Sequence, residues 1–110
     1  MVTAETAVVL PVLLLVLAAV VAAVVVVGAQ ARCVDAAREG ARAAARGEDP
    51  AAVRALVAQV APEGAATTIA VGGGEVRVTV RAEVAPPGPV RLGVDVGATA
   101  IARLEPGVPG

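Results

Sequence analysis

No phenylalanine, tyrosine, tryptophan, histidine, serine, lysine or asparagine occurs in this chain of 110 residues, and it holds one cysteine. Each absence closes a class of function. Without serine, histidine and lysine there is no Ser/His or Cys/His nucleophile and no Schiff-base amine. Without imidazole nearly every common zinc set is lost. Carboxylates remain, but no two of them stand at a spacing that marks an acid/base pair. The chain is therefore read as a non-enzyme with no metal, no cofactor and no small-molecule substrate. The arginines are balanced by acids to a net charge of −1, and no ring is present on which a base could stack, so no nucleic acid is expected as a partner. Cys33 has no second thiol within the chain, so any disulfide would join two chains. A core outside the membrane must be built from Val, Leu, Ile and Ala, which bury less area per residue than aromatics. A domain of this size is marginal without a partner.

One long stretch dominates what is present. Ala7 to Ala29, AVVLPVLLLVLAAVVAAVVVVGA, contains no charge and no hydroxyl. As a helix its roughly 23 residues span about 35 Å, enough to cross a hydrocarbon layer of about 30 Å. In water the β-branched run Val20 to Val27 would favour a strand. In lipid a single segment must satisfy its own backbone, which only a helix does. Residues 1–6 form a polar cap carrying Glu5. The apolar run is too long for a secretory signal and lacks basic residues before it, so the segment is read as retained. Arg32 directly before Cys33 argues against lipidation there. Glu5 has two readings, an interfacial acid favoured by the helix dipole or a charge that needs a neighbour's cation to offset its cost beside lipid.

Residues 30–47 continue the helix, because Ala, Arg and Glu are good helix formers and Gly40 is the one interior breaker before Gly47. Cys33, Ala37, Gly40, Ala44 and Gly47 recur at spacings of four and three, a strip of small side chains that lets another backbone come close. Cys33 on this strip is read either as a disulfide contact between two copies or as a small buried thiol. Arg38, Arg42 and Arg46 form a row flanked by Asp35 and Glu39, a solvated, salt-bridged face or a contact for lipid phosphate or a neighbour's acids.

Gly47-Glu48-Asp49-Pro50 ends the rod, with Gly47 as its cap and Asp49 and Pro50 opening a second helix. Val53, Leu56, Val57 and Val60 give that helix, about Pro50 to Ala61, one apolar stripe. Beyond Ala65 the period becomes two. Thr67 to Val71 and Val76 to Val84 read as strands joined by Gly72-Gly73-Gly74. Three glycines also suggest a phosphate cradle, but a strand follows them and no Lys or Ser is present. Residues 85–89 form a loop, Val90 to Leu104 a third strand bent at Gly93 or Gly97, and residues 106–110 a frayed tail. The expected fold is α+β: a long N-terminal helix, a short amphipathic helix laid on a three-stranded antiparallel sheet, with residues 48–110 as a small domain outside the membrane.

The string Thr3-Ala4-Glu5-Thr6-Ala7-Val8-Val9-Leu10-Pro11, the Leu/Val/Ala run, and Arg32-Cys33-Val34-Asp35-Ala36-Ala37-Arg38-Glu39-Gly40 onward to Gly47 resemble the TadE-like minor pilins in the form carried by high-GC actinobacteria. The resemblance covers residues 1–47. It implies a pilin-like fold and a structural role in a tight-adherence pilus or secretion system, with other pilin subunits, the Tad assembly machinery, a prepilin peptidase and membrane lipid as partners. In that family Glu stands at the fifth mature position and Pro six residues later. Glu5 and Pro11 fit if processing occurs immediately before Met1, although the basic leader and its Gly are not in this sequence. A start upstream of Met1 is therefore expected, and in-frame DNA encoding a basic leader is the observation that tests it. Arg32, Arg38, Arg42 and Arg46 would by themselves hold the C-terminal side in the cytoplasm. The leader implied by the resemblance reverses this and exports residues 31–110. The alternative is a single-pass membrane-anchored binding or regulatory module whose sheet edge accepts a partner's strand.

Overall fold

The computed structural model describes residues 3–88 and 91–108. A 43-residue helix, α1 (Thr3–Ala45), is followed by α2 (Pro50–Val60) and strands β1 (Ala66–Gly72), β2 (Glu75–Val84) and β3 (Val94–Arg103). The α+β class read from the sequence is the class observed. The molecule is a rod of 78 × 19 × 18 Å, because α1 runs unbroken from the apolar segment into the domain. Thr3 to Thr6, expected as a cap outside the helix, form its first turn. The expected processing point before Met1 lies outside the described residues.

The helix ends two residues earlier than residue 47. Gly47 takes φ 85°, its N–H donates to the Ala44 carbonyl at 3.0 Å, and the Glu48 N–H donates to that of Ala43 at 3.3 Å. This is the Schellman arrangement, which needs a left-handed residue and so selects glycine. Asp49 occupies the N-cap position of α2, but its carboxylate makes no capping bond. Pro50 at the helix start supplies the fixed φ, and the Asp49 carbonyl accepts from the Val53 N–H at 3.0 Å.

The sheet is antiparallel in the order β1-β2-β3. Val76, Val78, Val80 and Ala82 of β2 point inward and are buried while Glu75, Arg77, Arg81 and Glu83 face out. The glycine triplet is the β1–β2 turn, with Gly72 paired to Glu75 and positive φ at Gly73 and Gly74. β3 begins at Val94, which pairs with Val84 at the end of β2; Arg91 to Gly93, expected in the strand, lie outside it. Pro89 and Val90 lie outside the described residues. No bend occurs at Gly97, which pairs in register with Arg81. Gly97 answers a different need, since a Cβ there would lie 2.9 Å from the Val80 carbonyl oxygen.

Two further expectations are corrected by the packing. The sheet is covered by the second half of α1, which lies on β2 and β3; α2 packs beside α1 and meets the sheet chiefly along β1. The reason is steric: the small residues of α1 let it approach the valines of β2 directly. The tail is docked as far as Val108, where the Glu105 N–H donates to the Ala45 carbonyl at 3.0 Å and the Val108 N–H to Glu105 at 3.1 Å. Val108 is half-buried and lies over Gly47. Pro109 and Gly110 lie outside the described residues.

Candidate functional site

The apolar half of α1 is long and apolar enough to cross a membrane, and none of its most apolar 18-residue stretch is buried by the protein itself. That separates it from the core helix of a soluble domain, which would be covered. Leu14 is 64% exposed and Val24 66%, so these side chains require a non-aqueous partner outside the chain.

Glu5 stands exposed in the first turn of this helix, where the N-terminal dipole favours an acid. Among the described residues it forms no ion pair. Pro11 lies inside the helix and removes the bond that the Ala7 carbonyl would otherwise accept. A shallow hollow lined by Thr3, Thr6, Ala7, Leu10 and Pro11 sits at this point. Glu5 and Pro11 are six residues apart, which places them about 120° apart around the axis. The structure thus does not bring them to one face.

The small-residue strip expected to receive another subunit is occupied by this chain. Cys33, Ala37 and Gly40 are buried, and Ala44 is half-buried. A Cβ on Gly40 would stand 2.7 Å from Val57 Cγ2 and 3.1 Å from Val78 Cγ1. The spacing does mark a close approach, but the approaching groups are α2 and β2 of the same molecule. The arginine row is also less paired than expected. Among the described residues Arg42 meets Glu39 at 3.7 Å and Arg46 meets Glu48 at 2.8 Å, with no pair between Arg38 and Asp35. Both pairs are exposed and each contributes little.

Cys33 is fully buried. Desolvation pushes its thiol pKa up, opposed by the nearby Arg32 charge, so the nucleophilic thiolate is scarce. The burial favours the small buried thiol over a disulfide contact between two folded copies. Maleimide should label Cys33 slowly in detergent-solubilised native protein and fully after denaturation. Rapid native labelling would show that the domain does not close over α1.

One side chain escaped the sequence reading. The Gln30 amide donates from Nε2 to the Gly97 carbonyl at 2.7 Å and accepts at Oε1 from the Gly97 N–H at 2.9 Å. Both free backbone groups of Gly97 on the outer edge of β3 are satisfied from the helix, at the level where α1 leaves the apolar run. No signal along the chain links residues so far apart. Gln30→Leu removes two hydrogen bonds and should destabilise the domain by about 1–2 kcal/mol, read as a melting point several degrees lower by circular dichroism. An unchanged melting point would mean the amide pair contributes nothing.

No group of His, Cys, Asp or Glu among the described residues is placed to hold a metal. Neither a curated protein nor a solved structure matches the chain. The family described as TadE-like protein has a model that matches residues 1–42, and over that segment, from Glu5 and Pro11 to Gly40, the chain carries the TadE-like sequence that its N-terminal motifs led us to expect.

Proposed function

We propose that the chain is a structural subunit, a minor pilin or pseudopilin, of a Tad-type pilus or secretion assembly. Residues 7–29 hold it in the cell membrane and residues 31–110 lie on the outer side. The observation that carries this reading is the uncovered apolar half of α1 with an exposed acid in its first turn, joined to the family match over the same residues. A stored pilin needs a helix that lipid can cover first and other helices later. Glu5 supplies a charge for a neighbouring subunit's N-terminal amine, and Pro11 frees a backbone carbonyl within the packed region. A prepilin peptidase acting immediately before Met1 is the processing enzyme this reading requires. The role is assembly, with no catalytic step.

Replacing residues 7–29 by polyleucine tests it. The replacement keeps membrane partition and removes the side-chain shape that neighbouring helices would recognise. Loss of the protein from sheared pili with full retention in membranes is the expected result. Full function after the swap would identify the helix as a mere tether and favour a membrane-anchored binding module, for which the outer edge of β1, unpaired by any strand among the described residues, is the available docking edge.

A further inference from the structure

The domain does not stop where the apolar run ends. Ala18, Ala22, Val25 and Val26 are the shielded residues in the middle of an otherwise exposed stretch of α1. They continue, at spacings of three and four, the face that Ala29, Cys33, Ala37 and Gly40 present to the sheet. Ala18, Ala22 and Val26 face Pro86, Pro87, Gly88 and Leu92, which lie between β2 and β3. Together Ala18, Ala22 and Val26 on the helix and Pro86, Pro87 and Leu92 on the segment border an apolar groove of about 600 Å³.

At about 1.5 Å per residue the groove extends from roughly 5 to 16 Å down the helix from Ala29. The apolar run exceeds the hydrocarbon thickness by only about 5 Å, so sliding the helix does not lift the groove clear of lipid. The segment is suited to that position. Pro86 and Pro87 have no N–H to leave unsatisfied, and Leu92 is 64% exposed. Within the segment's own sequence the charge is Arg91, whose long stem can keep its guanidinium at the headgroups, and the Glu83 side chain folds over Gly93 at the segment's upper end. Acids appear on the second strand pair above, Glu83 opposite Asp95, both exposed, and mark the water side.

We infer that Pro86, Pro87 and Leu92, between β2 and β3, form a membrane-dipping element: they enter the boundary between headgroups and acyl chains, and phospholipid fills the groove between them and α1. Burial of 5 to 10 Å is the depth reached by other interfacial apolar elements. Beyond an anchor, the domain thereby has a second contact that fixes its height and rotation on the bilayer. This rests on the reading of residues 7–29 as the span.

The test uses the full chain in phosphatidylcholine/phosphatidylglycerol vesicles, in a Cys33→Ala background, with a polarity-sensitive fluorophore on Leu92→Cys, Leu15→Cys or Val71→Cys in turn. Leu15 reports the span, and Val71, exposed on the strand that ends at the β1–β2 turn, reports the far end of the domain. Spin-labelled lipid should quench Leu92→Cys most when the label is near the headgroup end of the acyl chain. It should quench Leu15→Cys most when the label is near the methyl end, and leave Val71→Cys bright. Quenching at Leu15→Cys without quenching at Leu92→Cys would overturn the dipping element and leave the anchor standing. No quenching at Leu15→Cys would overturn the anchor itself. A blue-shifted Leu92→Cys that lipid does not quench and that crosslinks to another copy would assign the groove to a second subunit instead.

Discussion

Glu5→Gln protein should accumulate in the membrane as well as the wild type does and fall by about tenfold or more in sheared pilus material, a loss equivalent to roughly 1.4 kcal/mol per decade. The side chain is exposed in the first turn of α1 and pairs with no cation among the described residues. In the isolated subunit its charge contributes nothing to partition and costs free energy near hydrocarbon. When helices pack and water leaves, a neighbour's amine beside it gains far more than the same pair would in water. Glutamine keeps the volume and loses the charge, so it should behave like Glu5→Ala. If the residue only starts the helix, glutamine should resemble the wild type and alanine should not. Equal recovery of both variants and the wild type in the sheared fraction would remove Glu5 from assembly altogether.

Gly40→Leu should unfold the domain while leaving the membrane half of α1 inserted. The position is closed on two sides by Val57 and Val78, with Val53 3.7 Å from the point where a Cβ would sit. Even Gly40→Ala must displace Val57. Overpacking of this kind costs about 1–3 kcal/mol, against about 1 kcal/mol gained by replacing a helical glycine with alanine, so that variant should be near neutral to mildly destabilised. Leucine adds three more carbons with no space for them, in a domain whose largest fully buried side chains are valines. The readout is twofold: protease resistance of residues beyond α1, and labelling of Cys33, which becomes accessible when α2 and the sheet lift away. A protease-resistant Gly40→Leu protein with a shielded Cys33 would mean that α2 and β2 do not meet on this glycine.

Several of these features were legible along the chain because each depends on neighbours in sequence. The alternation from Val76 to Ala82 fixes which side of β2 is buried, and Gly47 before Pro50 announces a helix end followed by a helix start. The strip Cys33, Ala37, Gly40 is legible as a close approach, but helical spacing carries no information about whose backbone approaches. Here an intramolecular partner is always present and wins over one that must be recruited. Gln30 was invisible for a similar reason: its two bonds go to Gly97, and a lone glutamine after an apolar run has many partners open to it. The start of β3 depends on where its partner strand ends, which no property of Arg91 to Gly93 reveals. The roles proposed for Glu5 and Pro11 rest on resemblance, since among the described residues Glu5 forms no ion pair and Pro11 borders only a shallow hollow on its own helix.

The unbroken course of α1 has a mechanical consequence. Forty-three residues without an interruption form a shaft of about 65 Å, and the domain is clamped to its outer half by the sheet, by Gln30 at Gly97 and by Glu105 at Ala45. Beyond Pro11, no proline interrupts α1 between its apolar half and the half that carries the sheet. A tilt or twist applied to the helix above Pro11 is delivered to the strands, while the missing bond at Ala7 gives the first turns around Glu5 a weaker connection to it. Above Pro11 the molecule transmits force as a stiff lever does, so a change in how the apolar half is seated would reorient the sheet with it.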